Sequence, residues 1–242
     1  MKIGILSDIH GNMEALDVVL AELKECGPDR ILCLGDLVGY GPNPNECIEK
    51  IASVADIILA GNHDHAATGR LSTEHFNDYA RKAIDWTRDV LDAKNSRFLS
   101  GLPLILVEEG MTLVHATPEA PADWNYIFGY ADARRSFSVL TTPVCFVGHS
   151  HVPVAFIMDE SGEISIHDAT RAAIQEGNKI IINAGSVGQP RDGDPRASYG
   201  IFDTDDRYFY LKRVSYAVDA VQEKMRGQNL PSYLIDRLST GH

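Results

Sequence analysis

At 242 residues and a formal net charge of −12, the chain can bury one sizeable core while its surface repels polyanions, which excludes stable binding of duplex nucleic acid. No apolar run approaches the length of a membrane span and no signal-like stretch precedes the first strand, so the expectation is no membrane contact and a cytoplasmic location. The four cysteines (Cys26, Cys33, Cys47 and Cys145) lack CxxC spacing, which argues for free thiols rather than a disulfide framework.

Residues 1–6 form an apolar run that predicts a strand, and residues 12–26 carry helical periodicity, with Asn12 as N-cap and Gly27-Pro28 as the stop. A strand over 30–34 follows, then a Gly/Pro/Asn-rich loop through 39–44, a short helix over 45–53 and a strand over 56–60. Such alternation predicts parallel strands joined by right-handed crossovers. Between residues 72 and 100, Phe76, Tyr79, Ala80, Ala83, Trp86 and Val90 recur at helical spacing, which predicts a helix over 74–91 within a helical insertion beside the site. From residue 102 onward strands dominate, at 104–107, 111–115, 144–147, 154–158, 164–167, 179–183, 199–203 and 208–214, before helices at 217–226 and after Pro231. The reading is one domain over 1–242, an α/β half followed by an antiparallel half, with two facing sheets and helices outside.

Residues able to do chemistry gather where these strands end. Ser7-Asp8-Ile9-His10, Gly35-Asp36, Gly61-Asn62-His63-Asp64, His115 and Gly148-His149-Ser150-His151 each follow an apolar run. Open α/β sheets place ligands at the carboxyl ends of their strands. A mixture of carboxylate, imidazole and amide suits divalent Mn, Fe, Zn or Ni. Two such ions roughly 3.5–4 Å apart can clamp the attacking and leaving oxygens of a phosphoryl transfer. Asp36 stands alone after its strand and is the natural bridging carboxylate, whereas Asp8 and His10 can chelate one ion from a single strand end. Asn62 offers a neutral oxygen, which moderates charge so that an anion still binds. The chain thus reads as a two-metal hydrolase, and a cationic pocket in an acidic protein favours a small phosphorylated substrate.

Taken in order, these phrases resemble the calcineurin-like metallophosphoesterase signature, especially that of small bacterial and archaeal phosphodiesterase-type members. The likeness covers nearly the whole chain, including the run Asn183-Ala184-Gly185-Ser186-Val187-Gly188-Gln189-Pro190-Arg191. The resemblance implies a four-layer α/β/β/α sandwich of two mixed sheets flanked by helices. It implies two divalent transition-metal ions, Mn favoured, one held by Asp8, His10, Asp36 and His151, the other by Asp36, Asn62, His115 and His149. His63 would sit beside the ions without ligating them, protonating the leaving oxygen or stabilising charge on the phosphoryl group, and a metal-bound hydroxide would be the nucleophile. The expected activity is hydrolysis of a small phosphodiester or nucleotide. A protein Ser/Thr phosphatase, a dinucleoside polyphosphate hydrolase and a non-catalytic scaffold are the alternatives. The protein phosphatase branch and the symmetrical dinucleoside tetraphosphatases carry a basic element soon after Gly-Asp, where this chain has Gly39 and Tyr40; that argues against a phosphoprotein substrate. The presence of His63 and of every ligand position argues against a scaffold.

Further residues carry weaker signals. Arg191 and Arg196 can contact substrate phosphate or pair with Asp192 and Asp194. Trp124, Tyr126 and Phe128 can stack a nucleobase or simply pack, and Tyr126 is the candidate substrate contact among them. Asp64 either orients a functional group or caps the next helix, while His65, His75, His167 and His242 read as surface or loop residues. The sequence leaves the oligomeric state open, and a homo-oligomer is compatible with it.

Overall fold

Two six-stranded mixed sheets face each other in the computed structural model, which describes residues 1–242. The first has the spatial order β3 (Ile57–Ile58), β2 (Arg30–Cys33), β1 (Lys2–Leu6), β11 (Ala197–Asp203), β12 (Tyr208–Val214), β9 (Arg171–Ala173). The second runs β4 (Ile105–Glu108), β5 (Met111–Val114), β6 (Val144–Val147), β10 (Lys179–Asn183), β7 (Val154–Met158), β8 (Ile164–His167). Parallel pairing joins β1 to β2, β2 to β3, β5 to β6 and β6 to β10, so the site-bearing ends of β1, β2, β5 and β6 point the same way within each sheet.

The inner faces of both sheets supply one core, with Ile3 and Ile5 from β1, Leu113 from β5, Phe146 from β6 and Phe202 and Phe209 from β11 and β12. Phe146 spans the gap, its ring 5.5 Å from Phe202 and 6.0 Å from Phe209. Helices α1 (Met13–Cys26) and α2 (Pro44–Val54) cover the outer face of the first sheet through Leu16, Val19, Leu23, Ile48 and Ile51. Strands covered on both faces must be apolar throughout, which is why β1 and β6 read as unbroken apolar runs. On the second sheet the covering helix is α6 (Tyr130–Val139), seated through Ala133 and Phe137. The layers are therefore α/β/β/α.

Several elements differ from the sequence reading. The helix expected over 74–91 begins at Asp78, because Asn77 caps it by accepting from the Ala80 N–H at 2.9 Å. It is α4 (Asp78–Val90), and a second helix, α5 (Ala93–Ser100), follows after its own cap, Asp92. The strand over 56–60 shrinks to the two residues of β3, since Ala60 N–H turns away to Pro103 O. Asn62 consequently opens a short helix, α3 (Asn62–Ala67), rather than ending a strand. Helix α6 and strand β9 were not anticipated. At the carboxyl end of the chain α7 (Val218–Gly227) and α8 (Ser232–Asp236) lie against α4 and Tyr40 in a separate apolar cluster, so the 72–100 segment is anchored to the chain's last helices. No helix is long and apolar enough to cross a membrane.

Removing the ring that joins the sheets should cost about 3–5 kcal/mol, the usual scale for a fully buried Phe→Ala. We expect Phe146→Ala to lower the urea-unfolding free energy by that amount; a loss below about 1 kcal/mol would mean that the sheets do not depend on this contact.

Candidate metal centre

Asp8, His10, Asp36, His115, His149 and His151, all buried, are carried to one place by the ends of β1, β2, β5 and β6. Their donor atoms form two groups that share Asp36: Asp8, His10, Asp36 and His151 in one, Asp36, His115 and His149 in the other. Within the first, His151 Nε2 lies 3.2 Å from Asp8 Oδ1 and His10 Nε2 lies 3.5 Å from Asp36 Oδ2. In the second, His115 Nε2 lies 3.3 Å from Asp36 Oδ2. Such separations match neighbouring ligands around an ion bound at ~2.1 Å. Asn62, 8% exposed, directs a buried Oδ1 that has no hydrogen-bond partner in the protein.

Each imidazole is oriented by a backbone carbonyl. His10 Nδ1 donates to Val38 O at 2.9 Å, His115 Nδ1 to Leu34 O at 3.0 Å, His151 Nδ1 to Gln189 O at 2.6 Å, and His149 Nε2 to Trp124 O at 2.8 Å. A carbonyl only accepts, so the proton of each neutral ring sits on that outer nitrogen and a lone pair points inward. This is the outer-shell arrangement that orients metal-binding histidines. It has a consequence for His10 and His151, whose Nε2 atoms face each other at 3.1 Å. Burial holds both rings below the usual histidine range, so two lone pairs meet there without a proton between them. A cation bound there would resolve that repulsion. Asp36 Oδ2 and His115 Nε2 are likewise buried with no hydrogen-bond partner. The donor set therefore fits divalent metal ions.

The charge states agree. Burial opposes ionisation of Asp36, but His115 and His63 beside it hold its carboxyl well below the usual range. Burial opposes charge on His115 as well, yet Asp36 and Asp8 raise it to about 9. Burial lowers His149 to about 3. A cation would replace the proton of His115 between the same carboxylates.

Local backbone makes this convergence. Asp8, His10, Asp36, His149 and His151 have φ of 55°, 50°, 54°, 66° and 60°, the left-handed region that L-residues seldom occupy. The run 183–191 buckles the two sheets' loops together. Asn183 Nδ2 donates to Gly148 O, and the Val187 and Gly188 N–H groups donate to Ser7 O and Asp8 O. Asp64 does both things the sequence left open. Its carboxylate accepts from the N–H of Gly61, which caps α3, and from those of Asp36, Leu37 and Val38, which shape the Asp36 loop.

His63 lies just outside the donor groups, its ring 4.8 Å from His10 and 4.4 Å from Tyr40. Tyr126 stacks on His149 at 4.1 Å, so the aromatic loop supports a site histidine from both its backbone and its ring. An open cleft of about 380 Å³ runs past His63, Asn62 and His149, walled by Phe76 and Ala80 on one side and Trp124 and Tyr126 on the other. Arg191 reaches this place, its guanidinium 5.7 Å above the Tyr40 ring and its Nη2 donating to the Tyr40 hydroxyl at 3.3 Å. Arg196 does not. Its guanidinium is bound to Asp194 at 2.6–3.1 Å, the pairing that the sequence offered as the alternative to a phosphate contact. His65 is corrected from a surface residue, being 9% exposed and packed edge-on against Trp124 at 5.3 Å. The sequence reading missed Gln189 as a hydrogen-bond partner and Arg237 altogether.

Residues 1–207 match the family model of the calcineurin-like phosphoesterase superfamily domain, and the chain belongs to that family. It is 43% identical to an uncharacterized protein of Methanocaldococcus jannaschii over 99% of this chain and 98% of that protein. A crystal structure of a metallophosphoesterase from Sphaerobacter thermophilus, 43% identical, superposes with a TM-score of 0.88 over 100% of this chain and 99% of that one. Phosphodiesterase YfcE of Escherichia coli is 27% identical over 85% of this chain and 89% of its own length. The family is one of phosphoesterase hydrolases, and the buried Asp/His cluster gives this member a place for divalent metal.

Because Asp64 satisfies four buried N–H groups at once, Asp64→Ala leaves them orphaned. We expect a stability loss of about 3 kcal/mol or more in chemical denaturation, together with reduced metal retention on gel filtration. Wild-type stability in this variant would refute the anchoring role.

Proposed function

We propose that this chain is a dinuclear metal-dependent phosphoesterase that hydrolyses a small phosphodiester or nucleotide. The observation that carries the reading is the pair of buried donor groups sharing Asp36, in which Asp36 Oδ2, His115 Nε2 and the neighbouring Asn62 Oδ1 have no hydrogen-bond partner in the protein. Asp8, His10, Asp36 and His151 would hold one ion, and Asp36, Asn62, His115 and His149 the other. Bound there, divalent ions would supply an acidified water and offset charge on the phosphoryl oxygens.

The chain's own residues do the rest. Burial brings His63 down to about 4, so the ring is neutral at pH 7 and its proton is shared with the substrate as a hydrogen bond rather than delivered as a charge. Nδ1 is sealed against Gly39, where any Cβ would collide with the ring, so Nε2 is the nitrogen that faces a leaving oxygen in the cleft. Arg191 offers a guanidinium to a non-bridging phosphate oxygen, and Tyr126 limits the width of the cleft above His149. The walls given by Phe76 and Trp124 favour compact anions over a folded phosphoprotein.

Elemental analysis should find close to two transition-metal ions per chain, and Asp36→Ala should lose metal from both positions, since its carboxylate belongs to both groups. Full double occupancy in that variant would end the bridging assignment. His63→Ala should lower kcat by roughly 10²–10⁴-fold with metal content unchanged; metal loss instead would make His63 a ligand. With Mn supplied, kcat/KM for bis-p-nitrophenyl phosphate or a nucleotide should exceed that for a phosphoserine peptide, and the reverse order would overturn the proposed substrate class.

A further inference from the structure

We propose that Arg191 and Arg237 form a second anion subsite beside the metal cluster, one that takes the non-reacting phosphate of a substrate carrying two linked phosphates. The inference rests on the phosphoesterase reading for the word substrate, but its geometry stands apart. Gln189 Oε1 accepts from Arg191 Nη2 at 3.0 Å and from Arg237 Nη1 at 3.3 Å, so one neutral oxygen holds two guanidinium groups side by side. Arg191 also donates to the Tyr40 hydroxyl, and Arg237 Nε to the backbone oxygen of His242. Arg191 has no carboxylate within ion-pair distance, and Arg237 has beside it only the oxygen of His242, the last residue; what sets the two apart is that they meet at one shared acceptor.

Two guanidiniums held against one neutral oxygen are costly company. Two like charges a few ångströms apart repel, and partial burial strengthens the repulsion. Burial and the neighbouring Arg191 accordingly lower the Arg237 guanidinium from its ordinary value. Arg191 Nε is buried and has no acceptor, a charged donor left open. Both guanidiniums are held on aromatic rings, Arg191 over Tyr40 and Arg237 at 5.4 Å over Tyr233, which itself stacks on Tyr79 of α4 at 4.8 Å. The fork geometry of arginine matches phosphate, and an anion between the two would relieve the repulsion and fill the open donor.

The subsite abuts the reaction site. Gln189 is the residue whose backbone oxygen orients His151, and the Arg191 N–H donates to His151 O at 3.3 Å. The Tyr40 ring under Arg191 is 4.5 Å from His10 and 4.4 Å from His63. A phosphate gripped here is a neighbour of the one at the ions, as in a diphosphate linkage.

The test uses the full chain loaded with Mn and two non-hydrolysable probes, methylenediphosphonate and methylphosphonate, with affinities read by calorimetry. Wild type should prefer the diphosphonate. Arg237→Gln should cut that preference about tenfold or more, the scale of one charged hydrogen-bonding group, with metal content and melting temperature held. Arg237→Lys should recover part of it by restoring charge. In turnover, the ratio of kcat/KM for a dinucleoside diphosphate over bis-p-nitrophenyl phosphate should fall in Arg237→Gln, chiefly through KM. An unchanged preference in both variants assigns the diphosphonate to the ions alone and overturns the subsite, as does equal binding of the two probes by wild type. If the preference behaves as expected while no phosphoester is turned over, the phosphoesterase reading fails and the subsite stands.

Discussion

Asp64 never faces the cluster, yet the cluster depends on it. Its carboxylate takes four backbone N–H groups from two loops that follow neighbouring parallel strands, and so locks the end of β2 to the start of α3. The lock brings Gly61 so close to Asp36 that a Cβ there would collide with the carboxylate. Asp36 Oδ1 is then occupied by the His63 N–H at 2.8 Å, which leaves Oδ2 as the oxygen presented to both donor groups. One buried acid thereby decides which atom of a second acid is available. The two carboxylates repel each other: burial and Asp36 push the Asp64 carboxyl up to about 7, and the backbone N–H groups it accepts from oppose that rise.

The left-handed backbone at Asp8, His10, Asp36, His149 and His151 belongs to the same design. Conformations of this kind cost on the order of 1–2 kcal/mol each for residues with a Cβ. The hydrogen bonds of the 183–191 run and of Asp64 hold them in place, so stability elsewhere is spent on converging donors. Without a cation the arrangement also keeps facing lone pairs at His10 and His151. An ion that binds only the folded chain returns part of that cost, by mass action on the folding equilibrium.

Most of the cluster was legible because two simple signals coincide in it. Apolar runs marked β1, β2, β5 and β6, and one or two Asp or His residues just after each marked where the ligand side of a parallel arrangement lies. Other features were hidden for identifiable reasons. Helix α6 turns Ala133, Ser136 and Phe137 inward, too thin a stripe to stand out from a polar stretch. Strand β3 is cut short because Ala60, two residues beyond it, pairs with Pro103 instead. Arg191 and Arg196 look alike in sequence, each within two residues of an aspartate. The Asp194 carboxylate also accepts from the Arg196 N–H at 3.0 Å, a local turn that captures the Arg196 side chain, while Arg191 leaves the chain beside Gln189 and meets no acid. Arg237 carries no local signal at all; only the packing of α8 against α4 and Tyr40 places it.

The separation of charges within the site is the last requirement. In the proposed reading Asp8 and Asp36 keep their oxygens for cations and Arg191 keeps its guanidinium for an anion, although the groups lie close together. A direct Arg191–Asp36 pair would satisfy both and disable both. The rings prevent it. Tyr40 stands with His10 and His63 against one side and the Arg191 guanidinium over its face, and its hydroxyl gives that guanidinium a neutral acceptor. The loop after Gly35-Asp36 thus lacks an arginine of its own but carries the aromatic platform that positions one from residue 191. An acidic chain gains in this way a small region with open donors for both signs of charge, and the aromatic partition between them is what keeps those donors from neutralising one another.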